Sequence, residues 1–258
     1  MPGSREARLA AVRGQIAALE AGTRTPSPVQ PFGDPRIDDC LPGGGLPLGR
    51  WHELVADGME VETGAVAAGF GAMLARPLAE TGAVVWILRR DDLYAPGLTT
   101  LGFPARRLIQ VKVRDEIQAL MALEDALGST GVAAVVGEVE EVDLTAGRRL
   151  QLACERHGAT GLIVRRRPYG GVSRKAATGS AASTRWRVAP AASDPPDDEP
   201  GLGPPRWHVA LERCRGGRPG QWILEGRQEA DHGPHPFTVV PGLADHDLAA
   251  EERRRRAA

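Results

Sequence analysis

Lysine is almost absent from this chain. Among 258 residues only Lys112 and Lys175 carry an ammonium group, and every other cationic side chain except histidine is an arginine. A site that needs the compact point charge of a lysine against a triphosphate therefore has two candidates, and neither lies near the glycine-rich run in sequence. Cysteine is limited to Cys40, Cys154 and Cys214. An odd number at such wide spacing excludes a disulfide framework and a CxxC metal site, and suits reduced thiols. No apolar run approaches the roughly 20 residues of a membrane-spanning helix. The start, Met-Pro-Gly-Ser-Arg-Glu, lacks the apolar stretch of a signal peptide, so a cytoplasmic chain with no membrane partner is expected. A formal net charge of −1 removes any global attraction to nucleic acid or anionic lipid, and leaves only local contact.

What is present is enough for one sizeable core. The chain is 42% hydrophobic and 25% charged, ordinary values for a globular domain. Between Gly43 and Ala65 it reads Gly-Gly-Gly-Leu-Pro-Leu-Gly-Arg, then Trp51-His52-Glu53-Leu54-Val55, then a loop opening an amphipathic stretch. Turn, strand, loop and helix in that order suit a phosphate-binding unit. A working P-loop ends in Gly-Lys-Ser/Thr, where the lysine meets the β and γ phosphates and the hydroxyl ligates magnesium. The best register here uses Gly58, Thr63, Gly64 and Ala65, with glycine in the lysine position and alanine in the hydroxyl position. Glu60 and Glu62 add negative charge where phosphates would sit. No nucleotide cofactor, no catalytic residue and no enzymatic activity are expected.

Apolar runs at 51–55, 83–88, 107–111, 132–136 and 161–164 read as buried parallel strands. Helical stretches lie between them. One carries Val66, Phe70, Met73 and Leu74 on a single face; another carries Ile117, Leu120, Met121 and Leu127; a third carries Ala146, Leu150, Ala153, Cys154 and His157, with Asp143 as its N-cap. This alternation predicts an α/β fold with a mostly parallel sheet and helices on both faces, closed by antiparallel strands at 206–212 and 220–225. Residues 1–24 read as a leading helix, with Leu9, Val12, Ile16 and Leu19 at helical spacing. The core then runs over 25–225, with a proline-rich insertion without fixed structure at 190–205, and 226–258 form a tail.

Three features could carry function. The stretch 165–187 holds Arg165, Arg166, Arg167, Arg174, Lys175, Arg185 and Arg187 and no acid. With Tyr169 and Trp186 it is the nucleic-acid candidate, although a solvated loop or a partner surface could use the same arginines. The apolar residues of the leading helix, together with Phe237, Val239 and Leu243 of the tail, are the partner-binding candidates. A chain cut at Pro236 is expected to stay folded. The strand at 132–136 runs into Gly137-Glu138, followed by Glu140, Glu141 and Asp143. If the strand continues, Glu138 turns to the face opposite residue 137, and the acids form either a solvated loop or a cation site. His232, His235 and His246 lack a helix to fix metal geometry, and no metal is expected.

Gly43 to Leu54 (GGGLPLGRWHEL) resembles the segment leading into the P-loop of bacterial RecA recombinases, and the element order over about residues 32–225 is similar to theirs. The segments 147–153 (GRRLQLA), 158–165 (GATGLIVR) and 213–220 (RCRGGRPG) resemble the ImuA family, RecA-like proteins without the nucleotide motifs. That resemblance implies a RecA-like core and a non-catalytic accessory role in damage-induced (SOS) translesion synthesis and mutagenesis. The implied partners are an ImuB-like Y-family polymerase homologue, a RecA-type recombinase and a DnaE2-type error-prone polymerase, with self-association open. Two alternatives share the ancestry or the charge pattern: a SulA-like cell-division inhibitor, and a single-stranded DNA-binding or recombinase-modulating module.

Overall fold

The computed structural model describes residues 27–57, 60–166, 180–195, 203–227 and 235–240, with backbone alone for 60–63. The predicted helix over residues 4–20, including Leu9, Val12, Ile16 and Leu19, lies outside these, as does Leu243.

One nine-stranded sheet organises the described chain. Its parallel part comprises β3 (Trp51–Ala56), β4 (Ala83–Leu88), β5 (Leu108–Lys112), β6 (Val132–Val139) and β7 (Thr160–Arg165). The next strand, β8 (Thr184–Ala191), pairs parallel with β3 and antiparallel with β9 (Arg206–Cys214). Then come β10 (Gly220–Gly226) and β11 (Phe237–Val240), and the order across the sheet is β11-β10-β9-β8-β3-β7-β6-β4-β5. A separate pair, β1 (Val29–Gln30) and β2 (Leu46–Pro47), sits before β3, with the single turn α1 (Pro35–Asp38) between them. The glycine run serves this turn. Gly43 and Gly44 adopt left-handed backbone, and a Cβ on Gly45 would lie 2.6 Å from the Gln30 carbonyl oxygen.

Helix α2 (Glu60–Ala75) crosses one face of the sheet and buries Phe70, Met73 and Leu74 as its sequence predicts. A shorter helix, α3 (Ala95–Thr100), follows β4. On the opposite face lie α4 (Glu116–Leu127) and α5 (Leu144–His157). Helix α5 starts on the Asp143 cap, whose carboxylate accepts the Ala146 amide at 2.7 Å. It ends at Gly158, in left-handed conformation.

Helix α4 is rotated from its predicted face. It buries Ala119, Leu123 and Leu127, while Ile117 and Met121 are 72% and 57% exposed. Two contacts set the rotation. The Glu116 carboxylate accepts the backbone amides of Glu140 and Glu141 at 2.8 and 3.0 Å. Leu123 enters the space left by Gly137, where a Cβ would come within 2.3 Å of its side chain.

Three further expectations are corrected. The stretch 165–187 contains the start of strand β8 rather than one continuous loop. Thr184, Trp186 and Val188 are buried, and the arginines between them face the other side. Ala191 still belongs to that strand, so the proline-rich insertion begins later than 190. The tail contributes β11, which pairs with β10. Phe237 is 3% exposed and stacks near Phe32, Phe70 and Trp207, so a chain cut at Pro236 loses part of the core.

His52 is fully buried on β3. Its Nε2–H donates to the Pro47 carbonyl at 2.9 Å, and Nδ1 accepts from the Thr184 hydroxyl at 2.7 Å, because a carbonyl can only accept. Thr184 Oγ1 in turn accepts the Trp186 indole N–H at 2.7 Å.

Two outcomes are expected. Burial pushes the His52 ring down to about 4 from 6.5. Its stabilisation is complete above pH 6.5 and lost as the pH falls through the folded value, about 3 kcal/mol in all. Denaturant unfolding should lose this acid slope in His52→Asn; an unchanged slope would assign it to other groups. Gly137→Val should cost about 1–3 kcal/mol through overpacking against Leu123, read as a lower unfolding midpoint.

Candidate functional site

In open α/β sheets, ligands bind beyond the carboxyl ends of the parallel strands. Here those ends carry Asp57 after β3, Arg89 and Arg90 after β4, Glu138 near the end of β6 with Glu140 just beyond, and Arg165 and Arg166 at the end of β7. Helix α2 begins at Glu60, with Glu62 in the same first turn. Acids there suit the positive end of a helix dipole and oppose a phosphate. Gly58 lies outside the described residues. Thr63 and Gly64 fall in the opening turns of α2, and Ala65 is exposed there.

The strand ends are tied together by ion pairs. Glu53, 1% exposed, accepts from Arg165 Nη1 at 2.6 Å and from Arg185 Nε at 2.8 Å. Since Arg165 is on β7 and Arg185 on β8, one carboxylate joins three neighbouring strands. Arg165 Nε also donates to the Glu140 carbonyl at 2.8 Å. On the α2 face, β6 continues to Val139 and turns Glu138 inward, away from the face of Gly137. Glu138 pairs with Arg166 at 2.7 Å and accepts the Trp86 indole N–H at 3.4 Å. Arg166 also holds Asp92 at 2.7 Å. Arg89 bridges Glu116 and Glu140, each at 2.8 Å.

The charges respond to this packing. Burial raises the Glu138 pKa, with Arg166 and Trp86 countering only part of it. For Arg166, burial opposes the charge, but Asp92 and Glu138 more than offset it and lift the pKa above the ordinary guanidinium value. The hydrogen bond from Arg166 holds the Asp92 carboxyl below the usual range. The hollow between β4 and β6, lined by Arg89, Arg90, Arg114, Glu138, Glu140 and Arg166, encloses about 120 Å³. Small-molecule sites usually span about 300–1,000 Å³.

The nucleic-acid candidates are thereby redistributed. Arg165, Arg166 and Arg185 face buried or half-buried carboxylates, and Arg187 pairs with Glu212 at 2.6 Å and Asp57 at 3.4 Å. These four do not form a free basic stripe, because strand β8 and the end of β7 turn them onto acids of the sheet. Arg167, Arg174 and Lys175 lie outside the described residues. Phe237 and Val239 are core residues, 3% and 9% exposed, rather than anchors for a partner. His235 reaches the Pro31 carbonyl at 3.2 Å, whereas His232 and His246 lie outside the described residues. Among the described residues no cluster of three or more His, Cys, Asp and Glu side chains is placed to hold a metal ion, and no helix is long and apolar enough to cross a membrane.

Sequence reasoning missed Glu53 and Asp92. Glu53 had a signal: an acid inside a buried strand must find a counter-charge. Asp92 had none, since its partner Arg166 is 74 residues away.

This arrangement places an acidic residue at each position where a nucleotide-binding relative of the same topology would need a phosphate or metal contact. Over 243 residues the chain is 62% identical to proteins described as Protein ImuA from two strains of Caulobacter vibrioides, covering 92% of this chain and 99% of each relative. The chain belongs to the ImuA family. A solved KaiC-like protein from the archaeon Pyrococcus horikoshii superposes with a TM-score of 0.50 at 16% identity, over 83% of this chain and 100% of that one. With the mostly parallel sheet and its antiparallel extension, that likeness shows the RecA-like fold of this ImuA-family chain. No family model matches it.

Glu53→Ala should cost about 3–5 kcal/mol, because it leaves two inward guanidiniums without their counter-charge. The loss should exceed that of Arg185→Ala, whose side chain is 18% exposed. Equal losses in equilibrium unfolding would mean that Glu53 is not the centre of the joint.

Proposed function

We propose that this ImuA-family chain is a non-catalytic, RecA-like accessory protein of damage-induced translesion DNA synthesis. It acts as an adaptor for an ImuB-like Y-family polymerase homologue and an error-prone DnaE2-type polymerase. The observation that carries the non-catalytic part is the turn from β3 into α2. It has glycine and alanine in place of lysine and hydroxyl, and two glutamates in the first turn of the helix. The neighbouring strand ends support the same reading. Glu138, the acid nearest to a magnesium-holding position, is engaged by Arg166 and Trp86. Loss of one transition-state electrostatic contact costs several kcal/mol, and no described group replaces those missing here. Family membership supports the mutagenesis role, and the role in turn gives the fold a task that needs no nucleotide turnover.

The test has two parts. Purified protein should show no magnesium-dependent ATP hydrolysis and no rise in melting temperature with millimolar magnesium-ATP. A ligand at a hundredfold excess over its dissociation constant stabilises by about 2.7 kcal/mol, so binding would be visible as a shift of several degrees. In cells, deletion of the chain should abolish damage-induced mutation. Re-expression of a Glu138→Gln, Glu60→Gln double variant should restore it, since neither carboxylate has a catalytic task. A clear thermal shift with nucleotide overturns the non-catalytic reading, and unchanged mutation after deletion overturns the pathway.

A further inference from the structure

Among the described residues six large apolar side chains are exposed, and five of them lie on one side of the sheet: Ile109, Ile117, Met121, Leu144 and Leu152. Ile109 pairs in register with Val85, which packs beneath α4 and α5. Ile117 and Met121 sit on the outward face of α4, and Leu144 and Leu152 on that of α5. The α2 side has no counterpart. The two helices are stitched together by Arg149 and Glu124, so their outer faces form one continuous layer.

The outer stripe of α5 leads to the place where the described chain begins. Leu144, Arg148, Leu152 and Glu155 follow at intervals of three and four residues, on one side of the helix. Glu155 holds Arg50 at 2.6 Å, and the other terminal nitrogen of Arg50 reaches Ser27 Oγ at 3.5 Å. Ser27 therefore stands one arginine side chain away from the end of this stripe. Upstream of it the sequence carries Leu9, Val12, Ile16 and Leu19 on one helical face and Ala7, Ala11, Gly14 and Ala18 on the other.

We propose that residues 4–20 form an amphipathic helix that covers the outer face of α5 and α4 in the same chain. The dimensions match. A helix over 4–20 is about 25 Å long and α5 about 21 Å, and the seven-residue link to Ser27 spans at most about 24 Å. Running in the same direction as α5, the segment sets Leu9 over Leu144 and Ile16 over Leu152, which removes both apolar rows from water. The surface so covered is a docking face with a built-in occupant, and any partner that needs α5 must displace it.

Paired cysteines in the full-length protein test this. One variant carries Ile16→Cys with Leu152→Cys, a second Leu9→Cys with Leu144→Cys, and a control Ala18→Cys with Leu152→Cys, all with Cys214→Ser because that thiol is half-exposed. Oxidation at dilute protein should close an intrachain disulfide in both matched variants, with a rate independent of protein concentration. Closure should be about tenfold or more faster than in the control, as expected of a held rather than a merely tethered pair. Circular dichroism and a cooperative melt identify any variant that fails to fold, in which case the other matched pair decides. Bonds that form only between chains, with a rate that rises with concentration, would assign the face to a second copy and overturn the proposal. So would rates equal to the control, or no bond at all.

Discussion

A single buried carboxylate holds the two halves of the sheet in register. Glu53 sits on β3, between the last parallel neighbour β7 and β8, the strand at which pairing changes from parallel to antiparallel. It binds Arg165 of the one and Arg185 of the other. In a low-dielectric interior neither a lone acid nor a lone guanidinium is tolerated, so each member fixes the other two. The backbone ladder alone would permit a slip of β8 against β3, and a slip of one residue would exchange its buried and charged faces. With Arg185 committed to Glu53, Trp186 and Thr184 are directed to the opposite face, where they meet His52 and the aromatic group around Phe70.

The same arithmetic of opposite charges changes what the strand ends can do. The topology presents a crest of loops that other folds of this class use for ligands, yet guanidiniums and carboxylates there are paired with each other. Such a crest is stiff and nearly neutral. It suits a protein whose fold displays surfaces rather than turns over a substrate, and the outward apolar residues of α4 and α5 supply a surface of that kind. Burial of Phe237 and Val239 moves the antiparallel end of the sheet from the list of binding segments to the core.

Much of the fold was legible before any coordinates. The strand at Ala83–Leu88 matches its apolar run residue for residue, and β3, β5, β6 and β7 differ from their predicted limits only at the ends. Uninterrupted apolar runs bounded by polar loops have few other solutions in a chain of this length. The rotation of α4 was not legible, because both of its faces are apolar enough to be buried. Glu116 and Gly137, 21 residues apart, chose between them. Strand β8 was hidden by its own charge: its alternation of Arg with Trp, Thr and Val is a strand pattern, but seven basic residues drew attention to binding.

The sequence by itself determined the composition of the turn between β3 and α2, and with it the absence of the lysine and hydroxyl that a nucleotide would need. Those are identities, and no folding can supply a missing group at that position. It also determined the alternation of strand and helix, since local periodicity is a property of neighbours in the chain. Only the tertiary structure decided where the charges went. Arg165 and Arg185 meet Glu53 across 112 and 132 residues, and Arg166 meets Asp92 across 74. Ion pairing depends on distance in space and on burial, neither of which can be read from the order of residues.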